Sequence, residues 1–175
     1  MSEIPTRFRY YDSPLGSLLL AGRDDALTHM FFPRENSAVE PDTNWVSDNG
    51  CFPDVISQLG AYFAGELQEF DVPLELNGTL FQKTVWKTLL TIPFGEAWSY
   101  GDVAHTLGNA GASRAVGLAN NANPIPIIVP CHRVIGADRS LVGFGGGLDA
   151  KIWLLRHENI RFRGDEGINQ LDLPL

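Results

Sequence analysis

The stretch SYGDVAHTLGNAGASRAVGLANN, residues 99–121, decides how the second half of this chain folds. Ser99, with Asp102 three residues on, has the form of a capping box and opens a short helix that runs to Leu107. Gly108-Asn109-Ala110-Gly111 then turns the chain, and a second short helix runs from Ala112 to about Asn121. Two short helices joined by a tight glycine-bearing turn form a helix-turn-helix candidate, although ordinary helix packing has the same signature. In the second helix Ala112, Ser113, Ala115, Gly117 and Ala119 are all small, which leaves Arg114 as its one long cation. Small side chains allow close approach. The surface approached is either the lobe interior or a nucleic acid met by shape, without base-edge readout.

Upstream, Phe81, Val85, Trp86, Leu89 and Leu90 fall on one helical face, and Pro93-Phe94-Gly95 ends that element. Short apolar runs at residues 8–11, 17–21 and 27–32 predict a small antiparallel sheet. Residues 34–50 are polar and turn-rich, and Val55, Leu59, Tyr62 and Phe63 then recur at helical spacing until Gly65. Asn77-Gly78 marks a turn and the expected boundary between lobes 1–78 and 79–162, with residues 163–175 as a tail. The expected class is α/β in the α+β sense: a small N-terminal antiparallel-sheet lobe, then a mostly helical lobe carrying the helix-turn-helix and an active-site loop.

With 175 residues, 44% of them hydrophobic, the chain can build a real core. It contains no run of about 18 apolar residues and does not begin like a signal peptide, so a cytoplasmic protein without a membrane span is expected. Cys51 and Cys131 are too few for a disulfide scaffold or a thiolate metal site; two free thiols, no metal and no cofactor are expected. A net charge of -8 argues against a polyanionic partner, but the average hides an asymmetry. Residues 1–78 carry 4 Arg and no Lys against 13 acidic residues, a balance of -9, whereas residues 79–161 carry 8 basic against 5 acidic, a balance of +3. Only the second half could face DNA.

After Asn123-Pro124 and the apolar residues 125–129 comes Pro130-Cys131-His132-Arg133, a thiol, an imidazole and a guanidinium in succession. A thiolate is the nucleophile, and a nearby imidazole or cation favours it. Adjacent residues of a strand point to opposite faces, so this quartet alone also fits a buried, inert cysteine. Its company is more telling. Phe81-Gln82, Val85-Trp86, Ile92-Pro93, Gly95, Tyr100, residues 114–117, Ala119-Asn120, Asn123-Pro124, residues 129–136, Gly146-Gly147, residues 153–155 and His157-Glu158 together resemble the O6-alkylguanine-DNA alkyltransferases over roughly residues 79–162. Residues 1–78 resemble the family's RNase H-like lobe loosely, in element order.

The resemblance implies single-use repair, in which Cys131 takes the alkyl group of O6-alkylguanine, and also of O4-methylthymine, from a base flipped out of duplex DNA. It implies that His132 is the base, acting through a water, that Glu158 holds His132, and that Tyr100 donates to the departing base. Asn123 would brace the active-site turn. The DNA contacts it implies are Arg114, entering the minor groove without sequence preference, with Ser113, Ala115, Tyr100 and Arg133. Val134, Phe144, Gly145 and Gly146 would line the base pocket, and Trp86 would be structural. The protein is expected to act as a monomer.

Two positions depart from the family's pattern: Phe144 where relatives often have Tyr, and Gly145 where many have Ser. No hydroxyl is then available at that turn, and the glycine-rich residues 143–147 predict a roomy pocket wall. They are not a phosphate loop, since no Lys-Ser/Thr follows. A thioether is a poor leaving group, so the reaction should be stoichiometric. Cys51 has no assigned role. The rival readings are a cysteine hydrolase, which would turn over, and a lesion-binding alkyltransferase-like module, whose members lack the acceptor cysteine.

Overall fold

The computed structural model describes residues 3–165. Strands β1 (Arg7–Ser13), β2 (Gly16–Arg23) and β3 (Ala26–Phe31) form an antiparallel meander, and the two-residue β4 (Val46–Ser47) adds parallel to β1, giving the order β3-β2-β1-β4. A register shift at Ala21/Gly22 marks a bulge where β2 and β3 approach closely. Only glycine fits there, since a Cβ on Gly22 would lie 2.0 Å from the Ala26 carbonyl oxygen. Leu18, Leu20, Leu27 and Met30 join the core, and helix α1 (Pro53–Phe63) lays Val55, Leu59 and Tyr62 against it.

Helix α2 (Leu80–Leu89) begins at a capping box between Thr79 and Gln82. It buries Val85, Trp86 and Leu89, but Phe81 and Leu90 remain 38% and 43% exposed. The expected apolar face is therefore narrower than its sequence. At 100° per residue, Val85 and Trp86 lie within about 60° of Leu89, while Phe81 and Leu90 lie about 80–100° away on either flank. Trp86 is structural, its indole N–H donating to the Ala119 carbonyl at 2.8 Å and fixing α2 against the helix that contains Ala119.

The two short helices follow: α3 (Tyr100–Thr106), opened by the Ser99/Asp102 capping box, and α4 (Ser113–Asn121), entered through a 3-10 turn at Ala110–Ala112. Between Trp98–Ser99 (β5) and Val134–Ile135 (β6) runs a short parallel pairing that sets the start of α3 beside the turn Cys131–Arg133. Helix α5 (Leu148–His157) closes the lobe. One core cluster runs through both halves, and Met30 N–H donates to the Pro124 carbonyl at 2.9 Å, so the sheet supports the segment leading to Cys131. Of the tail, residues 163–165 pack back on the molecule through Arg163 to Asp138 and Arg156 to Asp165; residues 166–175 lie outside the described part. Among the described residues no helix is long and apolar enough to cross a membrane, and no cluster of metal-binding side chains is present.

Candidate active site

Cys131 opens a single 3-10 turn that also contains His132 and Arg133, and all three are buried. A 3-10 turn fans successive side chains around its axis, so the thiol and the imidazole are not forced to opposite faces as on a strand. The backbone before the turn is unusual. Ile127 has φ 73°, a left-handed conformation that is costly for a β-branched residue, by about 1–3 kcal/mol. Asn123 braces it from both ends of its amide, Nδ2 donating to the Val129 carbonyl at 2.7 Å and Oδ1 accepting from Ile125 N–H at 3.0 Å.

Behind the thiol stands a buried polar relay. His132 Nε2 hydrogen-bonds Glu158 Oε2, and Arg133 Nε donates to Glu158 Oε1 at 2.7 Å. Arg133 also donates to the Ile92 carbonyl at 2.6 Å. Burial alone would raise the Glu158 carboxyl, but His132 and Arg133 more than offset it and hold it down at about 2. Burial also lowers the His132 imidazole, against the pull of Glu158. A neutral ring that donates Nε2–H to the carboxylate keeps its lone pair on Nδ1. That atom is buried and without a protein partner among the described residues, so it is free to accept a proton, directly or through water.

Burial pushes the Cys131 thiol up to about 11, against the Asn123 amide and the Lys151 ammonium, which lower it. At neutral pH this thiol is therefore protonated, and acting as a nucleophile would require a base to take its proton. Lys151, on α5, is fully buried; Nζ donates to the Val134 carbonyl at 2.7 Å and the Val142 carbonyl at 3.4 Å. Burial brings its ammonium down to about 8, with Cys131 pulling the other way. Lys151→Met matches its length without its charge, and is expected to lower stability by no more than about 1–3 kcal/mol, because the carbonyls it served lose a donor while the cost of desolvating an ammonium disappears. Alkylation of Cys131 should slow as the thiol rises, by less than about tenfold per unit because a more basic sulfur is also a better nucleophile. Unaltered alkylation kinetics in this variant would exclude a role for the ammonium.

The other expected residues are distributed as follows. Tyr100, half-buried at the start of α3, has its ring 3.7 Å from where a Cβ on Gly117 would stand, and it is near enough to Cys131 to raise the phenol beyond what burial does. Arg114 and Ala115 are exposed on α4, and Ser113 is half-buried. Val134 is buried, while Gly145 has open space where a Cβ would be.

Two expectations need correction. Arg133, expected to contact DNA, has a side chain only 7% exposed and is committed to Glu158 and Ile92, so it belongs to the relay. Gly146, expected in a roomy wall, is packed tightly: a Cβ there would meet the Phe32 ring at 2.5 Å. It lines a 740 Å³ cleft between the Pro14–Ser17 turn and the start of α5, whose lining does not include Cys131. Phe144 is held edge-on to Phe32 at 5.6 Å, with Lys151 Nζ 6.0 Å from its ring.

Sequence reading passed over several contributors. Besides Lys151, they are Tyr62, whose hydroxyl reaches Glu158, and Asn120, whose amide donates to the Cys131 carbonyl at 3.3 Å; it also passed over Leu118, an apolar side chain left 73% exposed one turn beyond Arg114. Leu118 had a usable signal, since an apolar residue four positions after the lone cation shares its face.

Fold and site together place a buried Cys131, His132 and Glu158 cluster in one lobe with two short helices joined by a tight turn, with Asn120 of α4 donating to the Cys131 carbonyl. Residues 80–160 match the DNA-binding domain, and residues 6–76 the ribonuclease-like domain, of 6-O-methylguanine DNA methyltransferases. A methylated-DNA--protein-cysteine methyltransferase of Mycobacterium bovis is 54% identical over 159 residues, covering 90% of this chain and 95% of the relative, and one of Methanosarcina acetivorans is 50% identical, covering 86% and 97%. The Mycobacterium tuberculosis OGT crystallised in complex with DNA superposes with a TM-score of 0.82 at 55% identity, over 87% of this chain and 93% of that one. The chain belongs to the 6-O-methylguanine DNA methyltransferase family.

Proposed function

We propose that this protein repairs alkylated DNA by moving an alkyl group from O6-alkylguanine, and also from O4-methylthymine, onto Cys131 Sγ, once per molecule. The thiol proton passes through a water to His132 Nδ1 as the carbon–oxygen bond breaks and the carbon–sulfur bond forms. The departing base takes a proton or hydrogen bond from the Tyr100 phenol. Glu158 stabilises the imidazolium that results, as a buried carboxylate does in other nucleophile–base–acid triads. The observation that carries this reading is the unpartnered, buried Nδ1 of His132 on the same turn as Cys131, with Nε2 secured by Glu158.

The nucleophile is buried, so a base still stacked in a duplex could not reach it, and extrusion is required. Arg114 fills the space left in the stack from the minor-groove side, with Ser113 and Ala115 beside it and Leu118 extending the contact. The names of the relatives support methylated DNA as the substrate and a protein cysteine as the acceptor. In this reading the protein acts as a cytoplasmic monomer in two lobes, 1–78 and 79–162.

The test is to incubate the chain with excess duplex containing O6-methylguanine and to follow intact and peptide masses. One methyl per chain, on Cys131 and absent from Cys131→Ala, is expected. Turnover without mass gain would replace this reading with a hydrolase, and lesion binding without either would leave a recognition module.

A further inference from the structure

Tyr62 lies in α1, in the sheet lobe, 96 residues from Glu158, yet its hydroxyl donates to Glu158 Oε2 at 3.0 Å. That is the oxygen His132 Nε2 also engages, while Arg133 occupies Oε1. We infer that Tyr62 is a positioning residue for the alkyl-transfer reaction, acting through Glu158 on the basicity of His132. This rests on the reading of His132 as the base that accepts the Cys131 proton.

A buried phenol always finds some hydrogen-bond partner, so the contact alone could be mere satisfaction. Three features argue for more. The phenol is aimed rather than loosely accommodated: its ring is fully buried among Phe63, Phe70, Phe94 and His157, with centroids 4.9–6.3 Å away. Its backbone is fixed as well, because His157 Nε2 donates to the Tyr62 carbonyl at 2.6 Å, so residue 157 holds the tyrosine that contacts residue 158. And the oxygen it chooses is the one that holds the imidazole of the relay, so the phenol and the His132 ring compete directly for the charge of Oε2.

The consequence follows from charge. A neutral donor on Oε2 withdraws electron density from the atom that stabilises an imidazolium, which makes the imidazolium less favourable and leaves Nδ1 unprotonated at neutral pH. The other groups facing this pair are the Arg133 guanidinium and the Lys151 ammonium, which also disfavour a second positive charge, and the Cys131 thiol, which is neutral at rest. His157 packs against the Tyr62 ring but not against His132. Removing the phenol hydroxyl should therefore raise the His132 titration, and strengthening it as a donor should lower it. The sheet lobe in this way takes part in the chemistry of the helical lobe.

The experiment uses the full chain and free O6-benzylguanine, so that DNA contacts play no part. Single-turnover alkylation of Cys131 is followed by mass between about pH 5 and pH 9, and the His132 ring is titrated in parallel by NMR. For Tyr62→Phe the acid limb and the imidazole titration should both move up by about half a unit, a loss of about threefold in rate at any pH on that limb. A fluorinated tyrosine placed at position 62 alone, a stronger donor of nearly the same shape, should move both down, and it decides the matter by itself if Tyr62→Phe does not fold. Profiles that superimpose on the unmodified protein in both variants, whatever happens to their melting temperatures, would overturn the role of Tyr62. An unmodified protein that gains no alkyl mass on Cys131 would instead sink the functional reading on which the inference rests.

Discussion

Glu158→Gln is expected to slow single-turnover alkyl transfer by about a hundredfold or more and to lower stability by about 3–5 kcal/mol. The substitution keeps the shape of the side chain but removes its charge and replaces one acceptor with a donor. Glu158 is surrounded by donors, from His132, Tyr62 and Arg133, so an amide can be correctly paired at one end only. The Arg133 guanidinium, 7% exposed, then becomes an uncompensated buried charge. The loss has a pH signature. The Glu158 carboxyl titrates at about 2 in the folded protein against an ordinary value of 4.5, so its contribution is complete above pH 4.5 and disappears as pH falls toward 2. Urea unfolding across that window should show a decline in the parent protein that the glutamine variant largely lacks. A variant within threefold of the parent rate would remove Glu158 from the mechanism.

Arg114→Ala should separate reaching the lesion from reacting with it. On duplex DNA the rate is expected to fall about a hundredfold or more, because nothing replaces the extruded nucleotide and a cation is lost from the groove. On free O6-benzylguanine it should stay within about twofold, since Arg114 is exposed and, among the described residues, makes no ion pair with the relay. Equal losses on both substrates would mean that Arg114 supports the fold or the chemistry instead. The charge asymmetry adds a condition to the comparison. With -9 on residues 1–78 and +3 on residues 79–161, the productive orientation depends on a modest local attraction, so the duplex rate should fall as salt is raised while the free-base rate should not.

Much of the fold was legible because its signals are local. The Ser99/Asp102 box, the strands of the meander and the small-residue character of α4 each depend on residues within one or two turns of one another. So was the reactive quartet, since Cys131, His132 and Arg133 are consecutive. What local sequence could not reveal is where the polar side chains of that region point. Arg133 turns inward because Ile92 and Glu158, 41 and 25 residues away, supply acceptors there. Lys151 reaches carbonyls 17 and 9 residues away, outside any pattern of helical spacing, and its fellow charges on α5 gave no hint that this one alone is fully buried. Gly146 illustrates the same point in reverse. A glycine run reads as free space, but whether space exists depends on the opposite wall, which is Phe32 for Gly146 and open for Gly145.

The left-handed backbone at Ile127 bears on how the reactive centre comes into being. An isolated segment of residues 123–133 would avoid that conformation, which is imposed by the Asn123 amide and by burial of the flanking residues against the sheet and helices. Reactivity of Cys131 is therefore a property of the cooperative native state, and no partly assembled intermediate with native helices alone should possess it. Alkylation by free O6-benzylguanine during refolding would report the final ordering step, and its progress curve should coincide with the last rather than the first phase seen by circular dichroism.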